Sequence, residues 1–164
     1  MIDFALTADA VAPQLLGCTL THAGVSIRLT EVEAYLGAED SAAHTFNGKT
    51  PRNAAMFGPP GRFYVYISYG IHRNVNIVCA PEGTGQGCLL RGGEIIEGAD
   101  TAFSRRGTSD FHNLARGPGN LGKALGFTLE DNHQPIQIVE RTTEPEWVCG
   151  PRIGISKNKE ATLR

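Results

Sequence analysis

The segment from Pro59 to Cys79 carries the pattern that most restricts how this chain can fold. Pro59-Pro60-Gly61 interrupts the chain, and the run from Arg62 to Ser68 then places apolar residues at alternate positions among aromatic and β-branched types. Such a run favours a half-buried strand. Tyr69-Gly70-Ile71-His72 supplies a turn and Arg73 to Cys79 a return strand. The sequence therefore predicts a β-hairpin.

Turn-forming residues recur along the rest of the chain. Gly 20 and Pro 9 in 164 residues exceed their usual share and favour many turns over a bundle of long helices. Further strands are predicted at Ser26–Tyr35, Cys88–Arg91, Ile136–Glu140 and Ile153–Ile155. Short helices are predicted at Ala8–Leu16, Thr50–Gly58, Thr108–Leu114 and Pro118–Leu125. We predict an α+β fold in a single domain over residues 1–164: an antiparallel or mixed, curved sheet surrounded by short α-helices, with a protruding β-hairpin.

Charge and composition narrow the function classes. Apolar content is too high, at 41%, and the net charge of −2 too small for a disordered chain. A pI near 6.2 does not favour binding to nucleic acid through bulk electrostatics, so any nucleic-acid function must depend on a local patch. The sequence has no run of 18 apolar residues and no basic, apolar leader. We expect no membrane association and a cytoplasmic protein.

The four cysteines do not suggest chemistry. Cys18, Cys79, Cys88 and Cys149 form no C-x-x-C pair and lack zinc-ligand spacing with histidine. We expect buried thiols and no metal site.

One predicted strand carries an unusual polar face. Side chains two residues apart share a strand face, so Glu31, Glu33 and Tyr35 lie together, although glutamate is disfavoured in strands. A solvent-facing edge with two hydrated carboxylates explains this pattern equally well. A glycoside-hydrolase pair is less suitable, because its two carboxyls must flank the bond from opposite sides.

The hairpin has a similar polar and aromatic face. Tyr64 and Tyr66 alternate with the apolar residues, and Asn74 and Asn76 share a face of the return strand. Tyr69 falls in the turn, where it either contacts a partner or folds back on its own domain. Together these side chains suggest a site for a flat, hydrogen-bonding ligand such as a sugar ring or a nucleobase.

Several stretches, in order over nearly the whole chain, resemble the alkyladenine (3-methyladenine) DNA glycosylase family. They are Thr30–Gly37 (TEVEAYLG), Asp40–His44 (DSAAH), Thr50–Asn53 (TPRN), Met56-Phe57, Gly61–Gly70 (GRFYVYISYG), Asn74–Ile77 (NVNI), Leu89–Arg91 (LLR), Leu114–Leu121 (LARGPGNL) and Gly150–Ile155 (GPRIGI). The ordered series makes the resemblance specific. Family members usually continue beyond the last motif with an aromatic-rich segment, so the resemblance leads us to expect a shortened or altered final strand here.

The resemblance implies a monofunctional enzyme that removes alkylated or deaminated purines from duplex DNA, with substrates of the 3-methyladenine, 7-methylguanine, hypoxanthine and ethenoadenine type. Such enzymes take the damaged nucleotide out of the base stack. By motif, Glu33 would be the general base for the attacking water, and Arg91 would help hold that water. The matched motifs contain no nucleophilic lysine, so no lyase step is expected.

The resemblance also implies roles for the aromatic and amide side chains. Tyr35, His44 and Tyr66 would line the base pocket, and Asn76 would lie near the purine edge and disfavour guanine. Tyr69 would insert into the minor groove and fill the vacated space.

The resemblance implies no cofactor and a duplex DNA partner, and therefore a nucleoid-associated protein if the source is bacterial. We expect a monomer. The candidate phosphate contacts are Lys49, Arg52, Arg62, Arg73 and Arg116. Two alternatives stay open: a catalytically inactive nucleic-acid-binding relative, and a small-molecule nucleosidase or glycosidase.

Overall fold

The computed structural model describes residues 1–153, which form one six-stranded sheet and three α-helices. The helices are α1 (Ala8–Leu15), α2 (Ala99–Arg106) and α3 (Pro118–Ala124). The strands are β1 (Thr19–His22), β2 (Val25–Tyr35), β3 (Phe63–Ser68), β4 (His72–Cys79), β5 (Gln86–Glu97) and β6 (Ile138–Val139). The strand order is β3-β4-β5-β2-β1-β6, and every neighbouring pair is antiparallel.

The α+β class and the hairpin are confirmed. The buried residues of all three helices belong to one core cluster with the apolar side chains of the strands. A second, smaller cluster contains Ala55, Met56, Tyr64 and Val78. One face of the sheet is therefore helix-covered, and the other is left for polar and aromatic groups. None of the helices described is long and apolar enough to cross a membrane.

The long strands β2 and β5 each contain one extra residue at the same level of the sheet. In both strands the side chains beyond it point to the opposite faces from those that strict alternation would give. Leu29 pairs with Gly93, Glu31 with Gly92, and Val32 with Leu90, so each strand has one extra residue between the regular ladders on either side. An extra residue of this kind redirects the side chains that follow it. Before the shift the core-facing residues of β2 have odd numbers, and after it Val32 and Ala34 pack on the core. The strict alternation predicted for Ser26–Tyr35 is therefore interrupted.

The other predicted strands differ mainly in extent. The Cys88–Arg91 strand is part of the much longer β5, and the Ile136–Glu140 strand is reduced to β6. Ile153 lies in a bend, and Gly154 and Ile155 of the last predicted strand lie outside the described residues.

Two predicted helices are shorter and tighter than expected. The Thr50–Gly58 segment forms only a 3₁₀ turn at Ala54–Phe57, because the Asn53 side chain instead bonds the backbone of His44 and Gly48 at 3.0 and 3.1 Å. The Thr108–Leu114 segment forms a 3₁₀ turn at Phe111–Asn113, capped by Asp110. The helices predicted at Ala8–Leu16 and Pro118–Leu125 are confirmed as α1 and α3, each one residue shorter at its end.

Three of the four cysteines are buried, as expected. Cys149 is exposed, because it lies in the irregular segment after β6, outside the packed core.

Candidate active site

The sheet register brings residues distant in sequence into one row on the polar face. Tyr64 pairs with Asn76, Asn76 with Leu89, and Leu89 with Glu33. Directly opposed residues of antiparallel strands lie on the same face. Since neighbouring strands are about 4.8 Å apart, the row spans β3, β4, β5 and β2 and connects the hairpin to the predicted general base.

Glu33 is the centre of the polar group on β2. Its side chain is only 6% exposed, and the Tyr35 hydroxyl donates a hydrogen bond to Oε1. Arg91 Nη1 lies 3.5 Å from Glu33 Oε2, while Arg91 Nε donates to Glu31 Oε1 at 2.8 Å. The predicted grouping of Glu31, Glu33 and Tyr35 is thus observed, and Arg91 joins the two carboxylates. A freely hydrated edge does not describe Glu33, because a buried carboxylate needs such partners.

The hydroxyl of Tyr35 stays protonated at neutral pH. Burial, the charge of Glu33 and the hydrogen bond to that carboxylate together raise the pKa of Tyr35. Burial alone would lower the pKa of Arg91, but the hydrogen bond to Glu31 and the charges of Glu33 and Glu31 raise it overall. Tyr35 therefore remains a hydrogen-bond donor to the Glu33 carboxylate, and Arg91 remains a cation paired with both glutamates.

The aromatic side chains form a second group beside the carboxylate. The His44 and Tyr66 rings meet edge to face with centroids 4.3 Å apart, and Tyr64 stacks on Tyr66 at 5.6 Å. Asn74 Nδ2 donates to the Tyr66 hydroxyl at 3.1 Å. Partial burial and the nearby Arg52 lower the pKa of His44, so its ring is neutral at pH 7 and can stack on another ring.

Asn76 is buried in this row, and its side-chain amide already donates a hydrogen bond within the protein. It is 3% exposed and its Nδ2 donates to the backbone carbonyl of Tyr64 at 3.3 Å. Leu89 separates it from Glu33, a distance of roughly 10 Å at normal strand spacing. Asn76 therefore lies on the floor of the polar face and not beside the carboxylate.

Tyr69 occupies the tip of the hairpin and does not fold back on the domain. It is 92% exposed and has φ of +50°, a left-handed conformation that is uncommon for a bulky residue. Ile71 on the same turn is also exposed. The tip therefore presents a ring and an aliphatic side chain to whatever the protein contacts.

Two of the candidate phosphate contacts are partly occupied within the chain. Arg52 Nη2 donates to the carbonyl of Ile67 and Arg62 Nη1 to the carbonyl of His133. These bonds hold the two arginines close to the hairpin.

Sequence reasoning missed a buried ion pair next to the site. Arg152 and Asp40 have fully buried side chains, with Arg152 Nη1 donating to Asp40 Oδ1 at 2.8 Å and Nη2 donating to Asp40 Oδ2 and to the carbonyl of Ala34. The guanidinium carbon lies 4.3 Å from the centroid of the Tyr35 ring. Asp40 also accepts hydrogen bonds from the backbone of Leu36 and Ala42. Both residues stand inside motifs of the resemblance, which was the only available signal.

A cavity of about 520 Å³ reaches the same carboxylate from the edge of β2. Its lining includes Glu33, Arg91 and Arg152, together with residues of α1 and of the segment 147–153. This cavity thus reaches Glu33 from the strand edge, and Tyr35, His44 and Tyr66 are not among its lining residues.

Comparison with known proteins identifies the chain as a DNA glycosylase. The sequence profile of methylpurine-DNA glycosylase (MPG) matches residues 2–164. The chain belongs to the methylpurine-DNA glycosylase family, which confirms the family predicted from the motifs.

Bacterial relatives match over almost the whole chain, each under the name "Putative 3-methyladenine DNA glycosylase". The protein of Corynebacterium efficiens is 67% identical over 168 residues, covering 99% of this chain and 88% of the relative. That of Corynebacterium glutamicum is 65% identical, covering 99% and 89%. A protein of Rhodopseudomonas palustris is 49% identical, covering 94% and 77%.

Proposed function

We propose that this protein is a monofunctional glycosylase that releases alkylated or deaminated purines from duplex DNA by hydrolysis of the N-glycosidic bond. Substrates of the 3-methyladenine, 7-methylguanine, hypoxanthine and ethenoadenine type are expected. The observation that carries the proposal is the buried Glu33 carboxylate, held by Tyr35 and Arg91 beside stacked aromatic rings. The names of the relatives support the first of these substrates.

Glu33 acts as the general base. A water molecule held between Glu33 and Arg91 gives a proton to the carboxylate as its oxygen bonds to C1′ of the deoxyribose. The bond from C1′ to the purine nitrogen breaks, and its electron pair leaves with the base. The products are an abasic site and a free purine: a cationic alkylated base leaves as a neutral molecule, and a neutral base leaves as an anion that takes a proton from solvent water. General-base catalysis of this kind contributes about 10²- to 10⁴-fold in rate.

The purine is held outside the helix by ring stacking. Tyr35 on one side and the His44–Tyr66 group on the other provide flat surfaces, and stacking of a base on such a ring contributes about 1–3 kcal/mol. Damaged bases pair and stack less well in the duplex, so their extrusion costs less. Asn76, on the floor of the row, limits the room for the exocyclic amino group of guanine.

Tyr69 takes the place of the extruded nucleotide. Insertion of an apolar side chain between base steps costs a few kcal/mol and requires a side chain that projects freely. The exposed ring on a tight turn meets that requirement. We propose that the protein acts as a monomer on DNA and needs no cofactor.

An excision assay separates this function from its alternatives. The wild type and Glu33→Gln are incubated with a duplex that carries one hypoxanthine or one 3-methyladenine, and with the corresponding free nucleosides. Release of the free base from the duplex, abolished in Glu33→Gln, supports the proposal. Glu94→Gln is the matched control, because Glu94 is an exposed glutamate on β5 that pairs with Arg28 away from the site.

The other outcomes each identify a different function. Tight duplex binding without base release by the wild type would identify an inactive nucleic-acid-binding relative. Preferential cleavage of free nucleosides would identify a small-molecule nucleosidase. Unchanged release by Glu33→Gln would exclude Glu33 as the general base.

A further inference from the structure

The back of the Tyr35 ring is covered by a buried cation. The Arg152 guanidinium carbon is 4.3 Å from the ring centroid, and no part of the Arg152 side chain is exposed. A base that stacks on Tyr35 must therefore use the opposite face of the ring.

We propose that the Asp40–Arg152 pair is a specificity-determining element that sets the charge preference of the base pocket. The guanidinium weakens the attraction of Tyr35 for cationic, alkylated purines, so that neutral, deaminated purines remain competitive substrates. The inference rests on the proposed function, since it concerns the bases bound against Tyr35.

The physical basis is the electron-rich face of an aromatic ring. A cation is attracted to either face of tyrosine by the ring quadrupole. When one face already carries a guanidinium, a second cation on the other face lies roughly 8 Å from it, with a ring and no solvent between. Two like charges at that separation repel appreciably inside a protein. A neutral purine such as hypoxanthine does not experience this repulsion.

Asp40 moderates the effect. Its carboxylate accepts two hydrogen bonds from Arg152, so the pair is neutral overall, with its positive end nearest the ring. Removal of the Arg152 charge and removal of the Asp40 charge should therefore shift the charge preference in opposite directions. Glu33 and Arg91 also face the site, but they are unchanged in every variant below.

The test is the ratio of single-turnover excision rates for 7-methylguanine, a cationic base, and hypoxanthine, a neutral base, in one duplex sequence. Arg152→Met leaves an anion behind Tyr35 and should raise the ratio about tenfold relative to wild type. Asp40→Asn leaves an unopposed cation and should lower it about tenfold. Arg152→Lys keeps the charge and should stay within about threefold of wild type.

The ratio separates this role from a merely structural one. Looser packing around Tyr35 would slow the excision of both bases and leave the ratio unchanged. A ratio that stays within twofold of wild type in both Arg152→Met and Asp40→Asn would overturn the inference, whatever the individual rates.

Each single variant leaves one buried charge unpaired, which is a known cause of unfolding. The double variant Asp40→Asn/Arg152→Met leaves none and replaces the pair with groups of similar size. It should raise the ratio about threefold, and an unchanged ratio in this folded variant would overturn the inference.

The same assay keeps the two proposals apart. Excision of both bases by the wild type together with a constant ratio in the variants would overturn only the charge preference. No excision of either base by the wild type would overturn the proposed function, and the charge preference with it.

Discussion

The two halves of β2 are both extended strand, but the first half contributes mainly to the hydrophobic core and the second half carries residues of the candidate active site. In the first half, Val25, Ile27 and Leu29 point into the core and β1 covers the free edge. In the second half, the odd-numbered positions carry Glu31, Glu33 and Tyr35, and the edge is held instead by Arg152 through the carbonyl of Ala34. The register shift between Leu29 and Val32 separates the two halves.

The difference shows how one strand can serve both stability and chemistry. Continuous alternation would have put Glu33 and Tyr35 on the side of Leu29, against the helices. Because both β2 and β5 carry an extra residue at the same level, their apolar side chains stay on the core and their polar ones turn to the other face. Substitutions in the two halves should therefore affect different properties.

The largest expected effect is on catalysis in the second half. Glu33→Gln should lower the excision rate about thousandfold, since the amide cannot accept the proton from water. Single-turnover kinetics measure the rate, and thermal unfolding of the same preparation measures stability. A melting temperature close to that of wild type is expected, and a collapse of stability would show that Glu33 mainly supports the fold.

Substitutions in the first half should lower stability and leave the excision rate unchanged. Leu29 is fully buried, and Leu29→Ala should cost about 3 kcal/mol of unfolding free energy through lost burial and a residual cavity. Its excision rate well below the melting temperature should match wild type. Val139→Ala, at an exposed position, is the control, and equal destabilisation by both changes would refute the placement of Leu29 in the core.

Gly93 tests the close contact at the register shift. A Cβ at this position would lie 2.5 Å from Ile27 Cδ1 and 2.6 Å from the carbonyl oxygen of Arg28. Gly93→Ala should therefore destabilise the protein by about 1–3 kcal/mol, measured by denaturant unfolding. Gly150→Ala, where an added Cβ meets nothing within 4 Å, should be neutral.

Tyr69 lies in neither half and should affect only the duplex reaction. Tyr69→Ala should reduce excision from duplex DNA about tenfold more than excision from single strands, because single strands need no inserted side chain. Ile71→Ala, at the same exposed tip, should have a smaller effect. Equal losses on both substrates would contradict the insertion role.

The smallest expected effect is a pH dependence of the stability that Asp40 contributes beside the second half of β2. Burial alone would raise the pKa of Asp40, but hydrogen bonds from Arg152 and the backbone of Leu36, together with the charge of Arg152, lower it overall. A carboxyl with a lowered folded pKa stabilises the fold above its unfolded value, about pH 4, and loses that contribution as the pH falls through the folded value. The stability gap between wild type and Asp40→Asn should therefore narrow below about pH 4.

Denaturant unfolding at pH 7, 4 and 3 measures that gap. Glu82→Gln, an exposed carboxylate, is the control and should show no such narrowing. A gap that stays constant down to pH 3 would mean that folding does not lower the pKa of Asp40.

The sequence predicts what depends on neighbours along the chain. The hairpin, the polar spacing of Glu33 and Tyr35, and the place of Tyr69 in the turn all follow from alternation and turn residues, whereas the exposure of the Tyr69 ring does not. The short β1 was missed because Thr-Leu-Thr-His contains one apolar residue, and α2 was missed because it buries only Ala102. Neither segment has a periodic pattern to detect.

The rest depends on pairing between distant segments. The register shift exists only in the alignment of β2 with β5, so no window of either strand contains it. Asp40 and Arg152 are 112 residues apart, and an isolated aspartate and arginine carry no signal that they meet in the interior.

The compensated register shift also governs which insertions and deletions the gene can tolerate. Loss of the codon for Thr30 would leave Leu29 and Val32 two positions apart, so Val32 and Ala34 would stay on the core side and Glu33 and Tyr35 on the polar face. Loss of a codon after the shift, at Val32, would instead direct Glu33 and Tyr35 at the helices and Ala34 at the polar face. A shortening of the strand is therefore compatible with the fold at the extra residue and not beyond it.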